Sequence, residues 1–198
     1  MKRTIAILIL LVISSSCFVY AQQPWISLFN GKDLKGWTAR GKAQWAVKDG
    51  VIIGQGSLGH LYASPIVKDF EVKGEFRIVD QGKGANSGFY VRAHEDATNP
   101  EGFPLGYEAQ ICNSQEAYTG WLWKPGKPTG KATALLTKDG EWFPMRVKVK
   151  GDSIFIWVKE QLVMTYRDDE YKEGKFVIQC HNPGMTAEAR NLYYRKLD

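Results

Sequence analysis

Cysteine, histidine and long apolar stretches are all scarce in this 198-residue chain. The cysteines at 17, 112 and 180 have no metal-type pair spacing, which excludes a zinc ribbon or finger. No basic run exceeds a few residues and no nucleic-acid motif occurs, so binding to a phosphate backbone is not expected. The glycine-rich run Gly54-Gln55-Gly56-Ser57-Leu58-Gly59-His60 is not followed by Gly-Lys-Ser/Thr, so it is no phosphate loop. No apolar run reaches the roughly 20 residues of a membrane helix. Beyond the amino terminus no run of useful length has a helical period, and neither an internal repeat nor a linker is visible.

What remains is rich in rings and turns. The chain is 44% hydrophobic and 13% aromatic, with seven Trp, nine Tyr, nine Phe and twenty Gly. That profile describes a folded protein of strands and turns rather than a disordered chain or a helical bundle. The length suits one domain.

The amino terminus reads as an export signal. Met1-Lys2-Arg3 is basic, Thr4 to Val12 is apolar, and Val19-Tyr20-Ala21 presents a cleavage site before Gln22. This predicts a signal peptide over 1–21 and a single β-sandwich domain over 22–198, periplasmic or secreted. Cys17 after Ser14-Ser15-Ser16 offers a second reading, a lipid anchor at Cys17, although Ser14 stands where Leu is usual. Without the signal, 24 basic and 21 acidic side chains leave a net charge of +3. Cys112 and Cys180 would then be a disulfide or two buried thiols.

Period-two patterning carries the fold. Phe70 to Ile78 alternates apolar or small residues with charges, and Met145 to Lys150 repeats the pattern. Ser153–Val158 and Gln161–Tyr166 follow across short turns and complete a meander. Further strands are expected at Trp45–Val47, Val51–Ile53, Gly88–Arg92, Tyr107–Cys112, Phe176–His181 and Ala187–Tyr194. The stretches 96–105 and 124–131, rich in Pro, Gly and Thr, are expected as long loops. Many short strands imply an all-β sandwich, jelly roll or barrel.

Three of these strands carry unusual polar faces. Alternation puts Asn86, Tyr90 and Arg92 on one face, Glu108 and Gln110 on another, and Gln179 and His181 on a third. Each face would ordinarily be wet. Yet carboxylate, guanidinium, amide and imidazole groups are less interchangeable than the Lys, Glu and Arg of Phe70–Ile78. Gathered on one sheet, they would line a cleft.

The blocks Leu28-Phe29-Asn30-Gly31-Lys32-Asp33-Leu34-Lys35-Gly36-Trp37, Ala85-Asn86-Ser87-Gly88, Gly106 to Ile111, and Gln179-Cys180-His181 with Arg190-Asn191 occur in order. Together they resemble the bacterial 3-keto-disaccharide hydrolase domain over nearly the whole mature chain. The resemblance implies a concanavalin A-like jelly roll of two packed antiparallel sheets acting on glycosides already oxidised to a ketone at C3. Such a ketone acidifies the C2 hydrogen, so a base forms an enolate, the C1 substituent leaves, and water adds afterwards. Carried onto this chain, it gives Glu108 or His181 the base role and Arg92 the enolate oxygen, with Asn86, Tyr90, Gln110 and Gln179 on the sugar. A divalent cation held by Glu108, His181 and a more distant His60 is the alternative. The chain departs from the family pattern at Phe143, at Cys112-Asn113 and at the Lys159-Glu160 turn; the first two are expected near the site.

Two other functions compete. A carbohydrate-binding protein without catalysis would use Trp121 and Trp123 as stacking platforms. A two-carboxylate glycosidase would need a partner for Glu108, and Glu71 with Glu75 read instead as a salt-bridged wet face. His94 reads as a loop residue, and His60 as part of the glycine-rich turn.

Overall fold

The computed structural model describes residues 23–114, 118–125 and 127–197, so the expected export signal and Cys17 lie outside the described residues. Among the described residues there is no helix, hence none long and apolar enough to cross a membrane. The described residues form fifteen strands: β1 (Ile26–Ser27), β2 (Trp37–Gly41), β3 (Gln44–Lys48), β4 (Val51–Gln55), β5 (Gly59–Ala63), β6 (Phe70–Asp80), β7 (Asn86–His94), β8 (Leu105–Cys112), β9 (Leu122–Lys124), β10 (Lys127–Gly130), β11 (Phe143–Lys150), β12 (Ser153–Val158), β13 (Gln161–Arg167), β14 (Lys175–Cys180) and β15 (Met185–Lys196).

They form two antiparallel sheets. One runs β13-β12-β11-β6-β15-β4-β3, with β1 paired to β15; the other runs β10-β9-β8-β7-β14-β5-β2. The expected meander is β11-β12-β13. Between the sheets lies one core, to which Phe70, Val72, Phe76 and Ile78 of β6 and Phe89, Val91, Phe176 and Ile178 of the facing strands contribute. The jelly-roll expectation holds.

The carboxylates of β6 are ion-paired as expected, but the face is not wet throughout, since Glu71 is buried. Glu71 bonds Arg146 (2.6 Å) and Arg195, and Glu75 bonds Arg190 (2.6 Å). Burial would raise the Glu71 carboxyl, but the two guanidiniums hold it below its ordinary value. These partners come from neighbouring strands rather than from Lys73 and Arg77. Both carboxylates sit on the sheet opposite the cleft described below.

Two local expectations are corrected and one open alternative is decided. His60 is not in a turn: it lies in β5, between β14 and β2 and buried on both faces, so no alternation advertised the strand. Part of the 124–131 loop is the β9–β10 hairpin. Cys112 and Cys180 are free thiols that cannot pair. They stand opposite Asn86 and Ser87 on either side of β7, hence on opposite faces and two strand spacings of about 4.8 Å apart.

Candidate active site

A cavity of about 520 Å³ opens on the outer face of the seven-stranded sheet. Its floor crosses consecutive strands: Glu108 and Gln110 from β8, Asn86 and Tyr90 from β7, Gln179 from β14 and His181 just beyond it. Trp123, Lys124 and Pro125 close one side, and Asp96, Asn99, Phe103 and Leu105 the other. The strands place these groups because neighbouring apolar residues (Phe89, Ala109, Ile111, Ile178) are committed to the core.

The face is polar yet largely buried. Glu108 is 8% exposed, Gln110 4% and Gln179 1%. Burial pushes the Glu108 carboxyl up to about 8, partly opposed by a hydrogen bond from Tyr90. Only acceptors surround the inner end of the Gln110 amide, which assigns the nitrogen there, donating to Glu108 Oε1 (3.0 Å) and Ser87 O (3.1 Å). Gln179 Nε2 donates to Tyr90 Oη (3.0 Å), which leaves the single Tyr90 proton for Glu108. Burial and the nearby Glu108 charge raise the Tyr90 phenol well above its ordinary value, so it stays protonated.

Glu108 lies opposite Tyr90, whereas the His181 amide bonds Asn86 O (3.3 Å) at the far end of β7. The two groups therefore occupy diagonal ends of the floor. Burial lowers the His181 pKa, with Asn182 opposing. Around the cleft, Trp123 Nε1, Gln179 Oε1 and His181 Nδ1 are buried and lack a partner in the protein.

Two sequence candidates fall elsewhere. Arg92 does not share the face of Asn86 and Tyr90. The β7–β8 register shifts between Val91 and His94, and Arg92 adopts φ +49°, which turns its side chain away. Its guanidinium instead bonds Lys68 O (2.9 Å), Tyr171 O (3.0 Å) and Asp69 (3.1 Å) and is 1% exposed. Trp121 belongs to the core, edge-on to Tyr118 at 5.7 Å, and does not line the cavity.

The proposed cation site is not assembled. Among the described residues no three His, Cys, Asp or Glu side chains gather as a metal cluster. His60 is 1% exposed, its Nε2 lies 3.4 Å from Gln179 Nε2, and burial beside His181 lowers its pKa to about 4. It backs the floor as a neutral acceptor. His94 sits at the exposed end of β7 on Glu173 O (2.6 Å).

Of the departures expected near the site, Phe143 is remote from it, whereas Cys112-Asn113 adjoins the floor at Asn86 without lining the cavity. Phe143 is a core residue of the other sheet. Asn113 bonds Asp139 (2.8 Å) and accepts from Thr137, and neither Cys112 nor Asn113 lines the cavity.

Sequence reasoning missed Asp96, Asn99, Phe103, Leu105, Lys124 and Pro125, all in or beside the two stretches expected as loops. Asp96 is spoken for by its own turn, accepting from Thr98 N (2.8 Å) and Oγ1 (2.7 Å). Lys124 is held by Asp168 (2.6 Å) and Glu170 (2.7 Å). Phe103 has no such partner; it is 46% exposed, its ring 5.6 Å from that of His181.

The sequence matches the profile of the 3-keto-alpha-glucoside-1,2-lyase-like domain over residues 24–197. The chain belongs to this family. No curated protein matches it. A Parabacteroides distasonis protein named as a candidate glycosyl hydrolase shares 23% identity, with TM-score 0.66 over 88% of this chain and 94% of that one. The carbohydrate binding module CBM66 from Bacillus subtilis shares 18%, with TM-score 0.68 over 81% and 96%. A legume lectin-like domain from Entamoeba histolytica shares 15%, with TM-score 0.61 over 83% and 92%. At these identities the likeness is one of fold.

Proposed function

We propose that this lyase-like domain cleaves 3-keto-glycosides in the cleft, by C2 deprotonation and elimination followed by hydration. The observation carrying the reading is that Glu108 and His181 line one cleft with the Asn86, Gln110 and Gln179 amides between them.

The environments of the two groups divide the roles. Glu108 stays protonated up to about pH 8 and suits the acid; His181 stays neutral and suits the base. His181 takes the C2 proton, and the C–H electron pair becomes the enolate. The enolate then expels the C1 oxygen, which takes the Glu108 proton. Water adding at C1 with a proton at C2 completes hydrolysis. With Arg92 committed elsewhere, and with the Tyr90 proton and the Gln179 amide nitrogen engaged within the floor, the Asn86 amide is the neutral donor offered to the enolate oxygen. No step is routed through a metal ion. The export signal expected at residues 1–21 assigns this activity to the periplasm or the exterior.

The test is release of the leaving group from a 3-keto-glucoside, with and without EDTA. This reading expects release that EDTA spares and that Glu108→Gln or His181→Ala lowers by at least about a hundredfold. Binding by calorimetry without release would establish instead the sugar-binding reading, which the apolar Trp123 and Phe103 walls also accommodate.

A further inference from the structure

We infer that the cleft has a fixed polarity, with the oxidised ring on Phe103 and a ring-bearing leaving group on Trp123. The inference rests on the proposed reaction and names what each end of the cleft recognises.

Trp123 lies directly opposite Glu108 across the β8–β9 pair, so both side chains stand together on the outer face. A leaving-group oxygen within reach of the Glu108 proton carries its substituent against that indole. At the diagonal end Phe103 leans on His181, its ring tilted 34° at 5.6 Å, and touches His60 edge-on at 6.0 Å. A ring whose C2 hydrogen meets His181 therefore lies beside Phe103.

Both surfaces suit the apolar C–H face of a ring. Phe103 is 46% exposed at the lip of an otherwise buried polar floor. Trp123 is half-buried and its Nε1 has no partner in the protein. The floor between them is amide and carboxyl, as a sugar edge requires. The Trp123 end accepts a cyclic leaving group with an apolar face, either a second sugar ring or an aromatic ring.

The experiment measures affinity and turnover separately. Methyl, glucosyl and phenyl 3-keto-glucosides are titrated calorimetrically into Glu108→Gln protein, alone and with Trp123→Ala or Phe103→Ala. Trp123→Ala should weaken the glucosyl and phenyl ligands roughly tenfold while leaving the methyl ligand within about twofold. Phe103→Ala should weaken all three alike. A glucosyl effect without a phenyl effect would identify the second sugar as the occupant, and the reverse an aromatic one; either supports the assigned polarity. The reversed pattern, equal loss in both variants, or no binding overturns it. Turnover by the unsubstituted protein judges the reaction itself, so the two failures are distinguishable.

Discussion

Gly88 is the seat of Glu108. A Cβ at position 88 would lie 2.0 Å from Glu108 Oε1 and 2.6 Å from its Cδ, so the carboxyl occupies the space a side chain would fill. The two residues are diagonal neighbours on β7 and β8, and only hydrogen at 88 lets the carboxyl lie flat on the floor. Gly88→Ala should expel Glu108 and lower turnover by at least about a hundredfold. The stability cost should be the roughly 1–3 kcal/mol of overpacking. Kinetics beside urea denaturation measures both; normal turnover in a folded Gly88→Ala protein would remove Glu108 from the chemistry.

The raised Glu108 pKa has two signatures. Turnover should fall as pH rises through about 8, where the acid is lost. Tyr90→Phe removes a hydrogen bond that favours the carboxylate, so it should move this alkaline limb upward. The folded carboxyl holds its proton above its unfolded value of 4.5, so the stability it contributes is complete below 4.5 and is lost as pH rises to about 8. Glu108→Gln should therefore be the more stable protein at pH 9, by more than about 1 kcal/mol, and the difference should vanish near pH 4. Parallel stability curves at all pH values would contradict this.

Arg92 is a clip rather than a cleft residue. Its guanidinium ties β7 to Lys68, Asp69 and Tyr171, and Asp69 also accepts from Gly151 N (2.8 Å). Arg92→Lys cannot reproduce three divergent bonds and should cost about 2 kcal/mol in denaturant unfolding. Turnover per folded molecule should stay within about twofold; a selective loss of turnover at full stability would return Arg92 to the reaction.

The β12–β13 turn offers the opposite experiment. Lys159 and Glu160 hold φ +49° and +60°, a left-handed pair that Asn-Gly adopts with less strain. The Lys159–Glu141 ion pair (2.7 Å) is exposed and contributes little against this. Lys159→Asn with Glu160→Gly should raise stability by about 1 kcal/mol, or about 2–4 °C in Tm, without altering turnover. An unchanged or lower Tm would show that the turn carries no such strain.

The all-β class and the β11–β13 meander followed from local alternation, because a strand with one wet face must repeat every second residue. The same period correctly paired Glu108 with Gln110 and Gln179 with His181, and Gly88 and Tyr90 lie on the Asn86 face. It failed at Arg92, where a register shift and a left-handed residue break the period without any mark in composition. It was silent at His60, since β5 is buried on both faces and shows no alternation. The family was legible in ordered blocks. Its three polar strands became one floor only through the order β9-β8-β7-β14-β5, which joins segments far apart in the chain. Phe103 acquires its place from the loop before β8, and Trp123 from the pairing of β9 with β8. The sequence alone determined which groups each strand could present; their gathering, their burial and the seat of Glu108 over Gly88 were decided by tertiary structure. Pairing partners and burial depend on residues scores of positions away, which no local pattern encodes.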